Sequence, residues 1–103
     1  MTPEILRYKI PADQADGFEQ AYARAGDALR QSPHCQRFEL LRSEKDPELY
    51  LLTILWDSAE GHLQGFRKSA QFPPFLEQIR AYLPNLLEME HYRATDVAWS
   101  RRT

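Results

Sequence analysis

The chain has 103 residues, with 13 basic against 15 acidic side chains and a formal net charge of −2. That length supports one core and not two, and the near balance of charge argues against a nucleic-acid or anionic-membrane partner, since both select a basic face. A single cysteine, Cys35, excludes an internal disulfide framework and cannot build a thiolate metal site alone.

No apolar run approaches the roughly 18 residues of a membrane span. Met1-Thr-Pro-Glu4 lacks the layout of a signal peptide. The expectation is a soluble protein of a reducing cytoplasm, one domain over residues 1–103, with no repeat, linker or low-complexity segment dividing it. The nearest thing to a basic cluster is Arg101-Arg102, in a tail over about 96–103 that is either frayed or an arm toward a partner.

Glu4 to Ile10 reads as a strand, with Leu6, Tyr8 and Ile10 alternating against Arg7 and Lys9. Pro11 closes it. Asp13 then predicts a helix cap, with Asp16 completing a capping-box-like start. Ala15, Phe18, Tyr22, Ala25 and Leu29 recur at three and four residues, the apolar stripe of a helix running to about Arg30. Ser32-Pro-His34 is a loop, and Cys35 to Glu44 a second strand with Phe38 and Leu40 on one face. Lys45-Asp-Pro-Glu48 is a turn. Leu49 to Trp56 is a third strand, apolar on both faces apart from Thr53, the pattern of a strand inside a sheet.

Asp57 with Glu60 predicts a second cap, so a helix starts directly after Trp56, with Ala59, Leu63 and Phe66 as its apolar stripe and His62 flanking it. Phe72-Pro-Pro74 interrupts that helix. Another starts at the prolines, carries Phe75, Leu76, Ile79, Tyr82 and Leu83, and stops at Pro84. Leu86 to Ala94 alternates as a fourth strand, Leu87, Met89 and His91 against Glu88, Glu90 and Tyr92.

Strand, helix, two strands joined by a tight turn, broken helix, strand: with right-handed crossovers this order is a ferredoxin-like α+β sandwich, βαββαβ, four antiparallel strands with helices on one face. The other face stays open. Leucines of the third strand point to it, each worth about 1.5–3 kcal/mol when buried, while Arg7, Lys9, Glu88 and Glu90 share that face and can pair across strands. The expectation is a homodimer joined sheet to sheet, with the tail around Trp99 as a crossing arm.

The pattern Trp56-x-Ser58-x-Glu60-Gly61-His62, followed by Ser69 and Phe72, resembles the antibiotic biosynthesis monooxygenase family, as do the Ser32-Pro33 loop and the His91-Tyr92 pair. The resemblance runs from about Ile5 to Thr95. It implies a dimeric α+β barrel, a pairing of two ferredoxin-like sandwiches. It also implies oxidation of an electron-rich phenol, quinol or polyketide-like molecule by O2 with neither metal nor flavin, so no cofactor is expected. Members of the family extend to proteins of no known reaction, and fold does not fix function. This chain departs from the pattern at Phe66, where many relatives carry a histidine or tryptophan. It also has Phe75 or Leu76 where the haem-degrading branch places its histidine ligand, which argues against haem breakdown.

A deprotonated phenol or quinol reduces O2 itself, so the protein has to supply a dry pocket, a base and a hydrogen-bond donor. His62 is the leading base, against the alternative of a histidine closing the strand–helix corner. His91 is either a second base or a hydrogen-bonded core residue. Tyr8 falls where the resemblance places a pocket donor, and equally suits a core tyrosine with a satisfied hydroxyl. Trp56 stacks on a planar ligand or packs, and Phe66 and Phe38 are candidate pocket walls. Arg67 either steadies an anionic oxygen or is solvated. His34 and Cys35 are too few for a metal site, and Cys35 has no neighbouring base for nucleophilic chemistry.

Two functions stand side by side: a cofactor-free monooxygenase, and a non-catalytic dimeric module that binds a small ligand or a partner. RNA binding on the sheet is set aside, because Leu49 to Trp56 has neither a glycine nor a basic residue.

Overall fold

Alternation along β1 (Thr2–Lys9) sets the layers. Glu4, Leu6, Tyr8 and, just past the strand, Ile10 are buried on one face, while Arg7 and Lys9 are exposed on the other. The computed structural model describes residues 1–101. β1 pairs antiparallel with β3 (Leu49–Trp56) and β4 (Leu86–His91), and β3 with β2 (Cys35–Arg42), so the sheet order is β2-β3-β1-β4. α1 (Ala15–Gln31) leads from β1 to β2. A broken helical segment leads from β3 to β4: a π-helical turn at Gly61–Gly65, a 3-10 turn at Phe66–Lys68, α2 (Phe72–Ile79) and a 3-10 turn at Arg80–Asn85. This is the expected ferredoxin-like sandwich.

The predicted stripe of α1 is its buried face: Ala15, Phe18, Tyr22, Ala25 and Leu29 lie against the sheet, where Tyr8, Leu52, Ile54 and Trp56 meet Phe66, Phe75 and Ile79. Gly26 is there for space. A Cβ at that position would lie 2.5 Å from Phe38 Cζ, so a larger residue would push that ring aside. No helix among the described residues is long and apolar enough to cross a membrane.

Several local expectations are corrected. Neither Asp13 nor Asp57 caps a helix. A 3-10 turn at Ala12–Gln14 precedes α1, whose N-cap, Gln14, makes no side-chain cap bond. Asp57 turns instead to His34 Nδ1 at 2.9 Å, and the Ser58 hydroxyl accepts the Gly61 N–H at 2.8 Å. The predicted stripe through Leu63 fails as well. The Phe66 N–H reaches back to the Gly61 carbonyl, an i→i+5 bond, and this wider winding puts His62 and Phe66 inward and Leu63 out to solvent. Pro84 lies inside the last 3-10 turn and does not end it. In β4 the register shifts between Arg7 and Tyr8, so Tyr8 faces Leu86 and Arg7 faces Glu88. The extra residue, Leu87, is thereby turned away from Met89 and His91 and onto the open face beside Leu41, Leu49 and Leu51.

On that open face Arg7 Nε meets Glu88 Oε1 at 2.6 Å, as cross-strand pairing predicts, but Lys9 pairs with Asp46 in the β2–β3 turn. Beyond β4 the described tail has no regular structure, and Val97 and Trp99 are exposed. Arg102, half of the predicted basic pair, lies outside the described residues.

Candidate functional site

Between the sheet and α2 lies a cavity of about 190 Å³. Its floor is Glu4, Leu6 and Tyr8 of β1 with Ile54 and Trp56 of β3. Its roof is His62, Phe66 and Arg67 of the helical turns with Phe72, Phe75 and Ile79 of α2, and Leu83, Leu86 and Met89 complete the side. The walls are mostly hydrocarbon, and the polar groups gather in two places.

The first polar group is centred on His62, which is buried. Its ring stacks on Trp56 with centroids 4.3 Å apart and planes 9° apart. Trp56 therefore spends one face on His62, and its indole N–H donates to Glu4 Oε1 at 2.9 Å. Glu4 Oε1 lies 3.8 Å from His62 Nε2, and on the opposite side of the ring His62 Nδ1 lies 2.8 Å from His91 Nε2. The pairing of β1 with β4 makes this possible, because Glu4 and His91 are direct partners in the register. His91 is half-buried at the sheet margin and does not line the cavity itself.

Burial disfavours charge on Glu4 and on His62, with opposite consequences for acid and base. Desolvation raises the Glu4 carboxyl above the usual carboxylate range, and the Trp56 N–H and the charges of His91 and Arg67 offset only part of it. Desolvation, then the positive charges of Arg67 and His91, lower His62 to about 4. His62 is thus a neutral imidazole at physiological pH.

The second polar place is Tyr8. Its hydroxyl is hydrogen-bonded to that of Tyr22 on α1, and burial raises both phenols above their ordinary value. When Tyr22 donates to Tyr8, the Tyr8 proton is left to point at a ligand.

Glu4, His62 and His91 each offer a ligand atom within 4.8 Å of the others. As they stand, His62 Nδ1 and His91 Nε2 are hydrogen-bonded to one another and Glu4 Oε1 accepts the Trp56 N–H, so the three side chains form one compact cluster.

Of the residues singled out from the sequence, His62, Tyr8, Trp56, Phe66 and Arg67 line the cavity, and His91 touches it through His62. Phe38 does not. It belongs to β2, the edge strand farthest from β4, where it packs on Gly26 with the Arg30 guanidinium 5.7 Å from its ring centre. His34 stands outside too, its ring against Gly61 and Gly65 on the outer side of the π turn. Sequence reasoning missed Glu4, although the signal was present: it shares the inward parity of Leu6, Tyr8 and Ile10, where a carboxylate is out of place unless it is partnered.

With this geometry in hand, the relationship is direct. Residues 1–95 match the family model for antibiotic biosynthesis monooxygenase, and the chain belongs to that family. Among solved structures, a protein from Bordetella bronchiseptica assigned to the same family is 22% identical, with a TM-score of 0.79 over 91% of this chain and 96% of that one. SnoaB, a cofactor-independent oxygenase from Streptomyces nogalater, solved as a mutant, is 20% identical, with a TM-score of 0.75 over 93% of this chain and 94% of that one. A family protein from Nitrosomonas europaea is 16% identical, with a TM-score of 0.71 over 91% and 98%. At these identities the likeness is one of fold. No curated protein matches the chain in sequence.

Proposed function

We propose that this protein is a cofactor-independent monooxygenase acting on a small electron-rich phenol or quinol. The observation that carries the reading is an apolar cavity with a neutral, buried imidazole on its wall. Deprotonation makes the substrate a delocalised anion that reduces O2 directly. Atoms and electrons balance without another reductant: the substrate loses two hydrogens and gains one oxygen, and the second oxygen leaves as water. His62 is the base candidate that faces the cavity, with His91 behind it, and the Tyr8 hydroxyl is the donor to the anionic oxygen. Arg67, on the cavity wall, adds a positive charge that favours the anion.

Size narrows the substrate. A dry cavity of about 150 Å³ holds benzene, so 190 Å³ suits one or two fused rings and not an extended polyketide. Oxygen uptake with a panel of quinols and naphthols tests this. Uptake should be seen with the small members and fall at least tenfold in His62→Ala. Uptake unchanged in His62→Ala and His91→Ala refutes the base assignments, and ligand-induced thermal stabilisation without turnover supports the non-catalytic module instead.

The working unit in this reading is a homodimer joined through the open face, where Leu41 and Leu87 are exposed beside Leu49 and Leu51. Light scattering at micromolar concentration should give twice the chain mass, and a monomer overturns the pairing.

A further inference from the structure

Resting on that reading but moving the first proton acceptor from His62 to its neighbour, we propose that Glu4 takes the substrate's proton and that Glu4, His62 and His91 form one proton-transfer chain from the cavity to the protein surface. The geometry carries it. Glu4 and His62 both line the cavity with Glu4 Oε1 3.8 Å from His62 Nε2, close enough for one oxygen atom to hydrogen-bond both. Glu4 is held by the Trp56 N–H, and His62 by stacking on the same indole, so neither has to move. At the other ring nitrogen the 2.8 Å contact to His91 joins His62 to a half-buried group at the sheet margin.

The step balances. The substrate O–H bond breaks and a Glu4 O–H bond forms. A water entering between Glu4 and His62 carries that proton to His62 Nε2, taking it from Glu4 as it gives its own to the ring, while the His62 Nδ1 proton passes to His91 Nε2 and His91 releases its Nδ1 proton to water. Both imidazoles end with their protons on the opposite nitrogens. When the peroxide is cleaved, the chain runs in reverse and returns one proton, so that the departing oxygen leaves as water.

The charged and titratable groups around Glu4 come from every packed element: Trp56 from β3, His62 and Arg67 from the helical turns, His91 from β4, Tyr8 from its own strand and Tyr22 from α1. Burial moves the carboxyl up and the imidazole down from their ordinary values, toward one another, which eases transfer between them.

Glu4→Gln keeps the acceptor for the Trp56 N–H but cannot take a proton. Oxygen uptake with a responsive quinol should fall by roughly 10²-fold or more, with the melting temperature close to wild type and the acid limb of the pH–rate profile abolished. His91→Ala, at the outer end, should be slowed and then restored by imidazole in the buffer, which replaces the missing carrier. A Glu4→Gln variant with wild-type uptake, or a slowed His91→Ala variant that imidazole does not restore, overturns the chain. If the wild type oxidises none of the quinols, the activity reading fails by itself, and the chain is judged by nitrogen NMR of the imidazoles. Both rings should then change tautomer in one shared step that Glu4→Gln removes. Identical titrations in wild type and Glu4→Gln overturn it.

Discussion

His62 and His34 lie on opposite sides of the same π turn, and their surroundings could hardly differ more. His34 is partly exposed, its Nδ1 2.9 Å from the Asp57 carboxylate, its ring resting on the bare backbone of Gly61 and Gly65. His62 is buried, stacked on Trp56, and faced by a carboxyl on one side and an imidazole on the other. Solvent exposure keeps the contact between His34 and Asp57 worth little. Removal of water from His62 sets its protonation state and couples it to its neighbours. The same side chain is a surface fastening on one side of the turn and a candidate reaction group on the other.

The largest test of that contrast is Trp56→Ala. It removes a fully buried ring, the platform of His62 and the donor to Glu4 together. A loss of about 3–5 kcal/mol in urea unfolding is expected. No mutation at His34 should approach this.

Next comes the pH dependence of stability. His62 is held at about 4 in the folded chain against 6.5 unperturbed. Between those values the unfolded chain binds the proton and the folded chain does not. Stability from this group is therefore full above pH 6.5 and lost as pH falls toward 4, on the order of 3 kcal/mol at about 1.4 per unit. Glu4 acts with the opposite sign. Its raised carboxyl favours the protonated folded chain, and that contribution is lost as pH rises through its folded value. Denaturant titrations at a series of pH values should show the acid loss in wild type and a flatter profile in His62→Gln.

A smaller effect is expected on the outer side. An alanine at Gly65 would put its Cβ 2.4 Å from His34 Cδ2, forcing that ring off the turn. Overpacking of this kind costs about 1–3 kcal/mol, and because His34 is displaced rather than His62, oxygen uptake should survive. Smallest of all is Asp57→Asn, which removes the charge opposite His34. The unfolding midpoint should stay within experimental scatter, as for other exposed pairs.

Much of this was legible beforehand. β3 was read with its observed bounds, Leu6, Tyr8 and Ile10 were put on the inward face of β1 and Ala15, Phe18, Tyr22, Ala25 and Leu29 on that of α1, and of the residues named as site candidates Tyr8, Trp56, His62, Phe66 and Arg67 line the cavity. The errors share a cause. Asp13 and Asp57 carry the side chains of helix caps, but the polar group that satisfies a given N–H depends on what folds next to it, and His34 claimed Asp57. Leu63 and Leu87 were misassigned because a π turn and a β-bulge each slip the period by a fraction of a turn or one residue. Phe38 is apolar and inward, and only the strand order shows that its neighbour is α1 and not the cavity.

Residue periodicity therefore sufficed for the architecture, because hydrophobic spacing is local and each strand or helix carries its own copy of the signal. The polar cluster was decided by tertiary structure alone. Glu4, His62 and His91 come from three separate elements, and they meet because β1 and β4 pair with Glu4 opposite His91 while the π turn aims His62 between them. The unusual proton affinities of Glu4 and His62 arise only once water is excluded from both, which no stretch of sequence accomplishes by itself.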